Sequence, residues 1–271
     1  MFRPICINLR DDFKISYPET LKVIKKSGFD GFFAAYEKEF LEEIHKTAKS
    51  ENLKFSSIHG PCFSICDVMW KEDKEKALEA YKKLLECLTD CARYEVPIMV
   101  SHVYVGDYNI VGIPSESGLE LYAKLVRDAE KLGVKIAFEN TEGEEYLKAV
   151  IDNIKSPYAG FCWDCGHEMC YNGMRDLLSL YGENLLYTHL NDNYGLDTES
   201  GLIDCTVDRH LLPFDGIADW KSIAERLKKK NYQGDLTFEL KPFNTDRYNF
   251  KTAEEYFKEA CRRAVAVADM L

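Results

Sequence analysis

The chain has 271 residues, of which 46% are hydrophobic, and it carries a formal net charge of −11 at pH 7. This length is typical of one α/β barrel, and the hydrophobic content suffices for a large core. The negative charge argues against a sequence-independent grip on nucleic-acid phosphates, so no nucleic-acid partner is expected. No apolar stretch approaches the length of a membrane-spanning helix, so no membrane partner is expected either.

The N-terminal residues run directly into a predicted strand and lack the charged and apolar regions of a secretion signal. The 10 cysteines of such a chain indicate reduced thiols rather than a disulfide framework. We therefore expect a cytoplasmic protein.

Strand and helix patterns alternate along the whole chain. The predicted strands are Ile5–Leu9, Gly31–Ala35, Lys54–His59, Ile98–Val103, Val134–Glu139, Gly160–Asp164, Leu186–His189 and Leu236–Glu239. The clearest predicted helices between them are Glu19–Ser27, Lys74–Tyr94, Gly118–Leu132 and Trp220–Lys230. This alternation predicts a single (β/α)8 TIM barrel as one domain over residues 1–271. A dinucleotide-binding sheet is not favoured, because no Gly-x-Gly-x-x-Gly follows the first strand.

Four potential metal ligands stand at the ends of predicted strands: Glu139, Asp164, His189 and Glu239. The C-terminal ends of parallel barrel strands meet at one mouth, so these four side chains are expected to converge. Two glutamates, an aspartate and a histidine suit Mn²⁺, Mg²⁺ or Co²⁺, with Zn²⁺ also compatible, and we predict a divalent site with Mn²⁺ preferred. Glu139 and Glu239 lie on different strands of this mouth and form the predicted catalytic pair, which would exchange a proton with a substrate carbon between them.

Further ionisable residues are predicted at the same mouth, including five of the six histidines. The residues expected to contact substrate there are His59, His102, His167, Asp208, His210 and Lys241. Asp208 and His210 lie in the longest irregular stretch, residues 191–216. A loop of this length in a compact domain is usually functional.

Several segments carry a family likeness: Ala137-Phe138-Glu139-Asn140, Cys162-Trp163-Asp164-Cys165-Gly166-His167, His189-Leu190-Asn191-Asp192-Asn193, Thr237-Phe238-Glu239 and residues 208–220. They resemble the xylose-isomerase-like TIM-barrel superfamily and, within it, the sugar phosphate isomerase/epimerase group. The resemblance implies a metal-dependent carbohydrate isomerase or epimerase in which both glutamates exchange protons at the carbon next to a carbonyl. Asp164 and His189 would complete the metal coordination, and His167 would contact a substrate hydroxyl. Such epimerases often carry an arginine shortly after the metal histidine, where this chain has Asn193-Tyr194-Gly195.

The sequence is also similar to the apurinic-site endonuclease family of the same barrel. That family holds three zinc ions, and each of its ligand types has a counterpart here: His59, His102, Glu139, Asp164, His167, His189, Asp208, His210 and Glu239. A trinuclear-zinc phosphodiesterase is therefore the alternative, although the net charge of −11 and the acidic long loop stand against it. A non-catalytic carbohydrate-binding barrel is a third candidate, whose expected sign would be a lost metal ligand.

The expected substrate is a small carbohydrate. A phosphorylated sugar needs cations at the mouth, and the candidates are Arg209, Lys241 and, less directly, Arg10. A neutral sugar, polyol or sugar-derived ketone is at least as compatible with such an acidic mouth. Helical faces of barrels often pair, so the sequence leaves a homo-oligomer open.

Overall fold

A computed structural model of the protein describes residues 3–106, 112–196, 203 and 205–271. The strands are β1 (Ile5–Asn8), β2 (Gly31–Ala35), β3 (Lys54–His59), β4 (Ile98–His102), β5 (Lys135–Glu139), β6 (Ala159–Asp164), β7 (Leu185–His189) and β8 (Leu236–Phe238). The α-helices are α1 (Tyr17–Ser27), α2 (Leu41–Ser50), α3 (Lys74–Arg93), α4 (Glu116–Leu132), α5 (Glu144–Asn153), α6 (Cys165–Cys170), α7 (Leu177–Tyr181), α8 (Trp220–Lys229) and α9 (Ala253–Ala268).

The eight strands form one closed parallel sheet. Each strand pairs with its neighbour in sequence from β1 to β7, and β8 pairs with β1, where Thr237 lies opposite Cys6. The last gap closes between β7 and β8. There the N–H of Leu190 donates to the Thr237 carbonyl at 2.8 Å, and the N–H of Glu239 donates to the Leu190 carbonyl at 3.1 Å. The predicted (β/α)8 barrel is therefore confirmed.

Predicted strand ends agree with the structure to within one residue, whereas two helices begin earlier than predicted. Helix α1 starts at Tyr17 because the Ser16 side chain accepts a hydrogen bond from the N–H of Glu19, whose carboxylate accepts one from the N–H of Ser16. Helix α4 starts at Glu116, where the Ser115 hydroxyl caps the first turn. Both starts depend on a serine cap, and the hydrophobic period begins only after the first turn.

The barrel interior is packed with side chains rather than open. Val100, Ala137, Cys162 and Tyr187 form a small buried cluster inside the ring of strands, and the Tyr187 hydroxyl shares a 2.5 Å hydrogen bond with the Ser56 hydroxyl. The larger hydrophobic core lies between the outer faces of the strands and the helices. Within the barrel formed by the described residues, ligand-sized space lies above this cluster, at the C-terminal ends of the strands.

No helix in the described part of the chain is long and apolar enough to span a membrane. The nine cysteines whose side chains are described are free thiols. The cytoplasmic location stays a prediction.

Candidate metal centre

The alternation of side chains along each strand places four ionisable residues at the mouth of the barrel. The last residues of β4 to β7 are His102, Glu139, Asp164 and His189. Each follows, by two positions, one of the four residues of the interior cluster. Side chains two residues apart in a strand point to the same face, so these four also point into the barrel, one layer higher. The predicted convergence of strand-end residues follows from this geometry.

Glu139, Asp164, His189 and Glu239 form the first of three clusters that consist only of predicted site residues, and we call it the quartet. Each offers one ligand atom, and these atoms lie within 4.8 Å of one another. Nδ1 of His189 is 2.9 Å from Oε1 of Glu139 and 3.2 Å from Oε2 of Glu239. The Glu239 side chain is 17% exposed, whereas the other three residues are fully buried. Carboxylate oxygens and an imidazole nitrogen directed at one point fit a divalent ion.

Glu139 also belongs to a second cluster, with His59 and His102. The Nε2 atoms of these two histidines are 3.2 Å apart, and each lies 3.3 Å from Oε2 of Glu139. That carboxylate oxygen is buried and makes no hydrogen bond within the described part of the chain. A buried anion facing two imidazole nitrogens without a hydrogen bond is the arrangement that a shared cation would satisfy.

The third cluster, which we call the loop cluster, contains His167, Asp208 and His210. Oδ2 of Asp208 lies 2.9 Å from Nε2 of His210 and 3.5 Å from Nε2 of His167. His167 belongs to α6, directly after β6, whereas Asp208 and His210 come from the long loop. Of the ten residues predicted to bind metal or substrate, nine thus lie in three adjoining clusters, and the tenth, Lys241, does not. Their roles stay predictions.

Backbone carbonyls orient three of these histidines. The rings of His59, His167 and His210 donate from Nδ1 to the carbonyl groups of Gly60, Asn140 and Glu239, at 3.0, 2.9 and 3.2 Å. In each ring the donated bond leaves Nε2 directed into a ligand cluster. Histidines that bind metals are commonly held in this way, with one nitrogen bonded to the protein and the other to the ion.

Opposite charges inside the centre shift the pKa values of its members strongly. Burial opposes ionisation of Glu139, yet the surrounding histidines, with His189 first, hold the pKa of this carboxyl well below its usual range. Burial also opposes protonation of His189, but Glu139 and Glu239 raise its pKa to about 10. The pKa of His102 is raised to about 10 by Cys62 and Glu139 against the same effect of burial. Protons on imidazoles therefore balance the carboxylates, and a divalent ion would displace these protons.

A cavity of about 470 Å³ opens beside the three clusters. Its wall includes Glu239 and Lys241 but not Glu139, which lies deeper. Arg10 and Lys241 are the only arginine or lysine side chains of the described residues that line it, and Arg10 forms an ion pair with Asp12. The third predicted cation, Arg209, lies elsewhere: its guanidinium is directed to the carbonyl of Asn244, at 3.5 Å. The conformation of the long loop therefore directs Arg209 away from the cavity, although its neighbours Asp208 and His210 line it.

Three buried asparagines and one aspartate support the centre, and the sequence indicated no role for them. Asn140 brackets the backbone of Asp164, donating to its carbonyl at 2.9 Å and accepting from its N–H at 2.8 Å. Asn191 and Asn193 reach the carboxylates of the quartet and of the loop cluster. Asp192 accepts the N–H groups that shape the following loop. All four follow a strand-end ligand in sequence and lie in the segments that carry the family likeness, but neither signal indicates their supporting role.

Comparison with known proteins places this barrel in a family. Residues 21–265 match the family of xylose isomerase-like TIM barrels, and the chain belongs to it. Protein y4fM of Sinorhizobium fredii, which has no characterised function, is 30% identical over 189 residues. That match covers 65% of this chain and 56% of y4fM, so the chain spans little more than half the length of this relative.

Solved structures of two epimerases and of one zinc-bound protein share the same fold. The 3-keto-D-glucoside 4-epimerase YcjR of E. coli is 16% identical with a TM-score of 0.73, over 98% of this chain and 100% of YcjR. A D-psicose 3-epimerase from Clostridium cellulolyticum H10 is 16% identical with a TM-score of 0.69, over 98% of this chain and 97% of the enzyme. The IolI protein, solved with a bound zinc atom, is 18% identical with a TM-score of 0.77, over 98% of each chain. At these identities the likeness establishes the fold.

Proposed function

We propose that the protein is a divalent-metal-dependent isomerase or epimerase of a small carbohydrate. The observation that carries the proposal is the pair of glutamates around His189: Glu139 and Glu239 both lie within 3.2 Å of its Nδ1, and Glu239 also lines the cavity. A carboxylate that borders both a metal site and a substrate cavity is placed to remove a proton from a bound substrate. The epimerase activities named for two of the similar structures agree with this proposal.

The proposed reaction is proton transfer at the carbon next to a carbonyl. A divalent ion at the quartet, with Mn²⁺ preferred, would polarise that carbonyl. Glu239 would remove the proton, because it is the member of the pair that reaches the cavity. Glu139, the deeper member of the pair, would return a proton on the other face. Exchange with solvent would then remove the proton held by Glu239 and replace the one given by Glu139, so that no net proton is gained or lost. His167 and Lys241 would bind substrate oxygens.

The cavity favours a small substrate. Its volume of about 470 Å³ lies in the range of small-molecule sites. Its only lysine and arginine among the described residues are Lys241 and the ion-paired Arg10. A cavity wall with so few free cations does not suit a polyanion, and a sugar with at most one charged group fits it best.

The Glu239→Gln variant tests the proton transfer. It should fold, but it should no longer exchange deuterium from solvent into a ketose substrate, because an amide cannot accept the proton. The matched control is Glu142→Gln, which alters another carboxyl of the cavity wall outside the three clusters and should retain exchange. Exchange can be followed by NMR on ketohexoses such as D-psicose, with elemental analysis of metal in the same samples. Unchanged exchange in Glu239→Gln would contradict the two-glutamate mechanism.

A second function, a trinuclear metal phosphodiesterase, is favoured by one specific observation. The three ligand clusters adjoin one another, and Glu139 is common to two of them. A single ion at the quartet would leave His59, His102 and the loop cluster without a metal role. Against this function stand the net charge of −11 and the few cations of the cavity wall.

Elemental analysis of protein purified without chelator separates the two functions. About one equivalent of Mn, Mg or Co per chain supports the isomerase, whereas about three equivalents of Zn support the phosphodiesterase. Incubation with DNA that contains an abasic site completes the comparison. If the protein cleaves that DNA, and chelation abolishes the cleavage, the phosphodiesterase would be favoured over the isomerase.

A further inference from the structure

Two buried asparagines join the quartet to the loop cluster. Nδ2 of Asn191 donates to both carboxylate oxygens of Asp164, at 3.1 and 3.0 Å. Oδ1 of Asn191 accepts from Nδ2 of Asn193 at 2.9 Å, and the same Nδ2 donates to Oδ1 of Asp208 at 3.3 Å. Both asparagines and Asp164 are fully buried. We call this continuous chain of hydrogen bonds, from Asp164 through Asn191 and Asn193 to Asp208, the amide relay.

The orientation of both amides in the relay is determined by their partners. Oδ1 of Asn193 accepts the backbone N–H of Arg209 and that of His210, the latter at 3.2 Å. Its Nδ2 therefore has to face the two oxygen acceptors, Asn191 Oδ1 and the Asp208 carboxylate. Turning either amide over would set donor against donor and acceptor against acceptor in a buried site. The relay consequently has one arrangement that satisfies all its members.

The backbone leaves a space of matching size for the relay. A Cβ atom on Gly166 would lie 1.7 Å from Oδ1 of Asn191 and 2.5 Å from Nδ2 of Asn193. Glycine at position 166 therefore lets the first turn of α6 approach both amides directly.

We propose that Asn193 is a positioning residue that sets the metal affinity of the loop cluster and couples it to the quartet. By holding Oδ1 of Asp208, Asn193 directs Oδ2 toward His167 and His210. Through Asn191 the same side chain is tied to the carboxylate of Asp164. An ion that orders Asp164 in the quartet therefore also orders Asp208, so binding at one cluster strengthens binding at the other. The inference concerns a second, weaker ion that the loop cluster would take up during a titration, beyond the one equivalent expected in the isomerase as purified. It does not rest on the reaction proposed above.

The test is a metal titration of the full chain after chelator treatment, without substrate. Zn²⁺ bound at defined free concentrations is measured by elemental analysis, and Co²⁺ binding is followed by its visible absorption. The wild type should bind ions at both clusters with positive cooperativity. Asn193→Ala should weaken ion binding at the loop cluster by about 10–100-fold and remove the cooperativity. The part of the Co²⁺ absorption that comes from the loop cluster should also be lost.

The matched control is Asn244→Ala. Nδ2 of Asn244 contacts the same loop, donating to the carbonyl groups of Asp208 and Arg209 at 3.4 and 2.9 Å, and neither of these acceptors is a carboxylate. This variant should bind both ions within about threefold of the wild type. A second variant, Asn193→Asp, keeps the shape of the side chain but places an anion beside Asp208, and it should show the same loss as Asn193→Ala.

Three results would overturn the inference. The first is a wild type that binds ions at the quartet alone. The second is a pair of Asn193 variants that keep the metal affinity and the Co²⁺ spectrum of the wild type. The third is an Asn244→Ala variant that loses as much metal affinity as Asn193→Ala. If Asn193→Ala fails to fold, Asn193→Asp shows whether the metal affinity of the loop cluster is lost or retained. Absence of isomerase activity would refute the proposed function and leave this result unchanged, because the titration contains no substrate.

Discussion

Glu139→Gln should destabilise the metal-free protein by an amount that depends on pH. Glu139 is fully buried and lies within 3.4 Å of nitrogens of four histidines: His59, His102, His167 and His189. Glutamine keeps the shape of the side chain but removes the charge that stabilises protonated imidazoles. Breaking a buried ion pair by neutralising one partner typically costs about 3–5 kcal/mol, because the other charge is left without compensation.

The pKa values of the histidines give the magnitude and its direction with pH. His102 and His189 have pKa values of about 10, against 6.5 for an ordinary histidine. At 1.36 kcal/mol per pKa unit, the difference of about 3.5 between these values corresponds to about 5 kcal/mol of stabilisation per histidine, of which Glu139 supplies one part and Cys62 or Glu239 another. A raised folded-state pKa contributes fully below the unfolded value and is lost as pH rises through the folded one. The cost of Glu139→Gln should therefore be about 3–5 kcal/mol at pH 6 and about 1 kcal/mol at pH 9.5.

Urea unfolding in the presence of chelator, followed by circular dichroism at both pH values, measures this difference. The matched control is Glu142→Gln. Glu142 is also buried, but burial outweighs its favourable contacts and raises the pKa of its carboxyl, so the ionised form of this residue does not stabilise the fold. That control should cost less than about 1 kcal/mol at either pH. A cost for Glu139→Gln below about 1 kcal/mol at pH 6, or one that is the same at pH 9.5, would refute the assignment of protonated histidines around this carboxylate.

Three further predictions follow from the same geometry. Metal affinity should increase from pH 6 to pH 9, because an ion displaces protons from His102 and His189, and calorimetry in buffers of different ionisation enthalpy counts the protons released. Gly166→Ala should cost about 1–3 kcal/mol and lower the metal content, since its Cβ atom would displace the Asn191 amide; thermal unfolding and elemental analysis measure both. Asp192→Asn should cost about 2–3 kcal/mol in urea unfolding, because each carboxylate oxygen accepts two N–H donors and an amide nitrogen can accept none.

Each of these predictions has a clear contrary outcome. Metal affinity that does not change with pH would mean that the ligand histidines are already neutral in the metal-free protein. A Gly166→Ala variant with the full metal content would show that the amide relay tolerates displacement. For Asp192 the exposed cap residue Asp219 is the comparison, because among the described residues its side chain accepts one N–H, that of Ser222 at the start of α8. Equal costs for the two asparagine substitutions would contradict a special role for Asp192.

The sequence by itself determined the barrel and the membership of its mouth. Parallel strands that alternate with helices close in only a few ways, and the side chain at each strand end follows the two-residue period of the strand below it. Glu139, Asp164 and His189 could therefore be assigned to one mouth from local patterns alone. His59 and His102 follow from the same rule.

Only the tertiary structure decided how the mouth is divided. Glu139 is shared by two clusters and lies beneath Glu239, so the two predicted catalytic glutamates differ in their access to the cavity. Asn193, which in the sequence marks the lack of an arginine, is the link between Asp164 and Asp208 in the folded chain. Depth in the barrel and hydrogen bonds across the long loop depend on how distant segments pack, and no periodicity of a single segment encodes them.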